Sequence, residues 1–164
     1  RKRRSRITRV IPERMIAEIE GDFVVFIIGM RINRPWLPHK WMPAFTAMPK
    51  MLIELSKLPQ EETGFLGYNN IGFGKVLQYW RSFEQLEAYA TARDRAHLPA
   101  WSAFNKAVRD DRSAVGIFHE TFLVQSGQYE TLYSGMPPFG LGKASRLIPA
   151  TSQTASARKR LGRD

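Results

Sequence analysis

Residues 22–32 read DFVVFIIGMRI, and this stretch decides the fold. β-Branched and aromatic side chains dominate it, and apolar residues fall on both parities. A strand with one solvated face alternates apolar and polar residues, so both faces of this strand are expected to be covered. Before it, MIAEIEG at 15–21 alternates around Ile16, Glu18 and Glu20 and reads as an extension or an edge strand. After it, NRPWLPHK at 33–40 is a loop broken by Pro35 and Pro38.

Further along, Met48, Met51, Leu52, Leu55 and Leu58 recur at three- and four-residue spacing, which predicts a helix over 41–58. Pro43 suits a first turn, whereas Pro49 removes a donor and is expected to kink or restart the helix. A strand at about 65–71 follows, then a tight turn at Gly72 and Gly74, then the strand KVLQYWRS. Ser82 with Gln85 three residues on forms a capping-box start for FEQLEAYATARD. A second helix resumes over 99–109, with Trp101, Phe104 and Val108 as its apolar stripe. AVGIFHETFLV at 114–124 is a long strand, and QYETLYS at 128–134 a trailing one.

The order is β-α-β-β-α-β, so the fold class is α+β, a ferredoxin-like protomer. Helices too few for two faces imply that a second copy covers the open side of the sheet. The expected division is a basic N-terminal tail at 1–14, the ferredoxin-like domain at 15–134, a Gly/Pro-rich packing arm at 135–150 and a disordered basic tail at 151–164.

Charge supports this division. The net charge is +10, but residues 1–14 carry +6 and residues 151–164 carry +3. The middle holds 14 basic and 13 acidic residues and is nearly neutral. A fold that reads nucleic acid places its basic residues along one folded face. Basic ends attract polyanions weakly and without sequence preference, so no specific nucleic-acid partner is expected. The longest apolar run, Phe23 to Met30, is far short of the roughly twenty residues of a membrane span, and no signal-peptide pattern opens the chain. A cytoplasmic protein is the expectation. The chain has no cysteine, which excludes disulfides, thiolate metal sites and a cysteine nucleophile.

Several stretches together carry a family resemblance. They are Gly29-Met30-Arg31-Ile32-Asn33, Leu77 to Glu84 (LQYWRSFE), His97-Leu98-Pro99-Ala100-Trp101, Val115 to Thr121 (VGIFHET) and Met136 to Leu141 (MPPFGL). The set resembles a family of small monooxygenase-like proteins that includes a member from fumagillin biosynthesis. That family is similar to antibiotic-biosynthesis monooxygenases within the dimeric α/β-barrel group. The resemblance covers roughly residues 15–150. It implies a homodimer whose two sheets form a dimeric α/β barrel, with a pocket between sheet and helices in each protomer. It implies a small-molecule monooxygenase acting on an aromatic, polyketide or terpenoid-like metabolite with O₂. Some members of the group need no cofactor and others bind haem through a histidine, so a dehydratase or haem-modifying enzyme is the alternative. A non-catalytic ligand-binding module is the other. No nicotinamide or flavin fingerprint is present, since Gly72-Phe73-Gly74 lacks the third glycine and the helix after it.

Three histidines offer chemistry. His39 lies in a polar loop and reads as surface. His97 sits at a helix junction, where it is either a cap or a proton acceptor, or the haem ligand if haem is bound. His119 lies mid-strand on the parity of Val115 and Ile117, as a satisfied core histidine, a catalytic base or an axial ligand. Neighbouring Glu120 points to the opposite face, so the two do not form a metal pair, and no metal site is expected. Glu120 reads as a salt-bridge partner of Arg31 or Arg81. Trp101 and Asn105 share a helix face four residues apart. The resemblance implies that Asn, Trp and Tyr side chains hold a substrate carbanion near O₂. Asn105 therefore joins His97 and His119 as a catalytic candidate. Tyr68, Tyr79, Trp80, Arg81 and Trp101 are the candidate substrate contacts. Met48, Met51 and Met136 read as filler.

Overall fold

The computed structural model describes residues 9–163. The chain forms two compact units, one made of residues 22–123 and the other of the segments before and after them.

The first unit begins with β2 (Phe23–Ile32), the strand that follows β1 (Ile11–Glu18) in the chain. Helix α1 (Pro38–Lys57) and the single-turn α2 (Gln60–Thr63) lead to a hairpin of β3 (Phe65–Gly72) and β4 (Lys75–Trp80). Helices α3 (Phe83–Thr91) and α4 (His97–Ala107) lead to β5 (Val115–Val124). The four strands lie in the order β3-β4-β2-β5. Both β2 and β3 run antiparallel to β4. This is the ferredoxin-like arrangement expected from the element order.

Register explains the core. Val24 lies opposite Trp80, Phe26 opposite Gln78 and Ile28 opposite Val76. Alternation turns this set toward one face, where Val24, Val76 and Trp80 pack with Leu52 and Leu55 of α1 and Leu86 and Tyr89 of α3. Each fully buried side chain of this kind contributes about 1.5–3 kcal/mol. Helix α1 runs through both prolines, so Pro49 does not end it; its cost is the donor missing opposite the Phe45 carbonyl. Ser82 caps α3 as expected, its Oγ accepting the Gln85 N–H at 3.2 Å. Gly64 closes α2 at φ +70°, and a Cβ there would strike the Gln85 side chain, so both backbone and space demand glycine.

The second unit is a three-stranded antiparallel sheet in the order β6-β1-β7. Its outer strands are β6 (Tyr133–Met136) and β7 (Arg146–Pro149), with the short α5 (Gly140–Ala144) between them. Side-chain hydroxyls complete it. Thr131 Oγ1 accepts the Ala17 N–H and Tyr129 Oη the Ile19 N–H, at 2.8 and 3.0 Å.

Three expectations change here. The stretch at 15–21 is neither an extension nor an edge: residues 15–18 belong to β1, the central strand of its own sheet, which starts at Ile11 within the expected basic tail. The remainder of that tail, residues 1–8, lies outside the described residues. The trailing strand forms later than expected, at Tyr133–Met136, and pairs with β1. Residues 151–163 are not a disordered tail. They carry a 3-10 turn (Ser152–Thr154) and a helical turn α6 (Ala157–Arg160), because Arg160 pairs with Glu130 and also donates to the Thr154 carbonyl. No helix of the described residues is long and apolar enough to cross a membrane.

Candidate functional site

A cavity of about 930 Å³ lies between the sheet of the first unit and its helices. The register that builds the core also builds its floor. Phe26 and Ile28 of β2, Tyr68 of β3, and Ile117 and His119 of β5 all reach it. The roof comes from Met48 and Met51 of α1, Leu86 of α3, and His97, Trp101 and Phe104 of α4. The lining is mostly apolar with few polar groups, which is the usual character of a small-molecule site.

The two histidines occupy different walls and are held differently. His97 is half-buried at the first residue of α4. Its Nδ1 lies 2.8 Å from the Ala90 carbonyl. A carbonyl only accepts, so Nδ1 carries the proton and neutral His97 keeps its lone pair on Nε2. Its ring also tilts against Tyr89, with centroids 6.4 Å apart. His119 is exposed, and its ring contact is Phe26 at 5.6 Å. Strand parity sends His119 to the cavity and Phe118 and Glu120 to the other face.

The helix junction at His97 is held by a contact from α1 that the sequence pattern does not show. Glu54 of α1 reaches across so that its Oε2 accepts the Ala96 N–H at 3.0 Å, capping α4, which has no cap of its own. Glu54 Oε1 and Tyr89 Oη are buried without a hydrogen-bond partner among the described residues. Burial, helped by the Glu54 charge, raises the Tyr89 hydroxyl far above its ordinary value, while Arg95 opposes this. Tyr89 is therefore a neutral phenol. At the far end of α4, Asp110 accepts from buried Lys40 of α1, and this bond lowers the Asp110 carboxyl. Glu54 gave no sequence signal because it sits beside the apolar stripe of α1, where a glutamate reads as solvated.

Of the other candidates, Tyr68 and Trp101 line the cavity. Four lie elsewhere. Trp80 faces the helices but is 1% exposed, packed in the core with its indole N–H bonded to Gln78 Oε1 at 2.9 Å. Tyr79, one residue away, falls on the opposite face of β4. Arg81 follows the strand end and donates to the Asp22 carbonyl at 3.0 Å. Asn105 donates to the Trp101 carbonyl at 3.0 Å and lines a second, outer hollow rather than the cavity. Asn105 is one residue past Phe104, which turns it about a quarter turn away from the sheet. His39 is exposed. No cluster of metal-ligating side chains occurs among the described residues.

The family model described as monooxygenase af470-like matches residues 23–141. The chain belongs to this family. Every residue lining the cavity falls inside the matched span. The chain is also similar to Monooxygenase af470 of Aspergillus fumigatus, at 28% identity over 137 residues. That match covers 76% of this chain and 46% of the relative, so the chain spans under half of the relative's length. Among solved structures, one is a possible oxidoreductase of unknown function from Bacteroides thetaiotaomicron, 14% identical with a TM-score of 0.36. It covers 64% of this chain and 99% of that one. Another is a dimeric protein of unknown function and ferredoxin-like fold from Bacteroides fragilis, 13% identical with a TM-score of 0.34, covering 62% and 96%. The ferredoxin-like description of this family member rests on its own strand order.

Proposed function

We propose that the cavity binds a small, electron-rich apolar molecule of aromatic, polyketide or terpenoid-like character and that the domain oxidises it with O₂. The observation that carries this reading is the bond from His97 Nδ1 to the Ala90 carbonyl, which leaves Nε2 as a base on a mostly apolar wall. Membership of a monooxygenase family supports the reaction class. In the proposed step an acidic C–H of the substrate gives its proton to Nε2, and the carbanion passes electrons to O₂. When a CH₂ becomes a carbonyl, one oxygen atom stays in the product and the other leaves as water. The electrons then balance without an outside reductant. Tyr68, Trp101 and Phe26 supply faces against which a flat substrate stacks. The test is oxygen uptake with anthrone, a flat molecule with one acidic CH₂. Uptake above the spontaneous rate, with anthraquinone formed in step with O₂ consumed, supports the reading. Anthrone bound but consumed only at the buffer rate contradicts it.

One observation favours a second reading. A histidine whose Nδ1–H is tied to a backbone carbonyl is also suited to hold iron through Nε2. His97, or His119 on the opposite wall, would be the haem ligand, and the iron would supply the redox chemistry. A Soret band on haem addition that disappears in His97→Ala or His119→Ala would establish it.

A homodimer is proposed too. Phe118 and Phe122 on the other face of β5 are 42% and 49% exposed, which suits cover by a second copy. Light scattering giving the mass of a single chain at micromolar concentration contradicts it.

A further inference from the structure

Helix α4 borders two hollows. Residues His97, Ala100, Trp101 and Phe104 face the apolar cavity. The adjoining stripe of Trp101, Asn105 and Lys106, with Arg109 just past the helix end, borders an outer hollow of about 600 Å³ that Arg112 also lines. Trp101 belongs to both stripes. Trp101 is 45% exposed, its indole stacks on Phe104 with centroids 5.5 Å apart, and it lines both the apolar cavity and the basic hollow.

Lys106, Arg109 and Arg112 have no ion-pair partner among the described residues. The nearest acids in the chain are already engaged: Asp110 by Lys40, and Asp111 by Arg34 and Ser113. Among the described residues no carboxylate lines the hollow. A cation in the last turn of a helix complements the helix dipole. Three exposed cations and an amide around one concavity exceed that need, and together they give it a positive potential that attracts an anion, more weakly as salt rises.

We infer that the ligand of the cavity is an amphipathic anion. Its apolar body occupies the chamber, and its carboxylate, sulfonate or phosphate lies past Trp101 against Lys106, Arg109 and Arg112. This rests on the proposed use of the cavity and adds the charge of the molecule that enters it. Arg109 and Arg112 present forks that suit such headgroups.

The experiment is calorimetric titration of the full chain with decanoate and with decanol, which share an apolar body and differ in charge. The parent is expected to bind decanoate about tenfold more tightly than decanol. The Lys106→Ala/Arg109→Ala/Arg112→Ala variant is expected to bind decanol as the parent does and to lose the preference, and raised salt to weaken decanoate alone. A circular dichroism melt like the parent's shows that the variant is folded. Equal binding of both probes, unchanged in the variant, overturns the anion site and leaves the cavity reading standing. Binding of neither probe overturns the anion site, while the cavity reading stands or falls on anthrone binding. Adsorption to phosphatidylserine vesicles without a preference for free decanoate assigns the cations to a membrane surface and overturns the inference.

Discussion

In the sheet that carries the cavity floor, Val76, Gln78 and Trp80 are fixed by strands on either side of β4, and Val76 and Trp80 by packing with Leu52, Leu55 and Tyr89. On the roof, His97 is placed by a few polar contacts between helices: Glu54 to the Ala96 amide, His97 to the Ala90 carbonyl, and Asp110 to Lys40. The floor is an ordinary close-packed core, where position follows from volume and register. The helix junction behind the roof is polar and partly unsatisfied, with Glu54 Oε1 and Tyr89 Oη both lacking partners among the described residues. Buried polar groups left this way are uncommon in close-packed cores. The sheet therefore acts as the frame, and the helix junction is where the proposed base, His97, is held.

The largest expected effect is on the frame. Trp80→Ala removes the most buried large side chain and should cost about 3–5 kcal/mol in chemical denaturation. A cost under about 1 kcal/mol would mean that the floor is not the rigid partner of the two. On the roof, Tyr89→Phe removes a buried hydroxyl without a partner, so stability should hold or rise by up to about 1 kcal/mol. A loss of that size instead would reveal a bonded partner and a roof tied as firmly as the floor. The smallest effect concerns the Asp110–Lys40 contact between α1 and α4. The folded carboxyl of Asp110 is lowered, so its contribution is present above the ordinary carboxyl value of about 3.9 and is lost as pH falls below it. Melting temperatures of parent and Asp110→Asn across the acid range should converge as pH falls. Parallel curves would mean that this contact does not fasten the roof.

The frame was legible in the sequence because periodicity reports it. The strand at 22–32, the Ser82 cap and the parity of His119 all follow from local pattern, and the structure has them where the pattern put them. Depth along a strand is not a periodic property. Trp80 has the parity of the cavity but lies beyond its end, in the core. The step from Phe104 to Asn105 turns a candidate from the cavity to the outer hollow. The junction at Glu54, Tyr89 and Ala96 joins three helices distant in the chain, and no spacing rule connects them. The second unit is hidden from local pattern for a related reason. Strand β1 finds its partners more than a hundred residues away, a pairing that local pattern does not encode.

The decisive measurement compares kcat/KM for anthrone oxidation in His97→Ala and His119→Ala. Both residues line one cavity, but only His97 is held in a single tautomer by a backbone carbonyl. Loss of a positioned general base should lower the value about a hundredfold or more in His97→Ala, while His119→Ala should change it less than about threefold. Equal losses in both, or parent-like turnover by His97→Ala, would contradict the assignment of the proton to the helical wall.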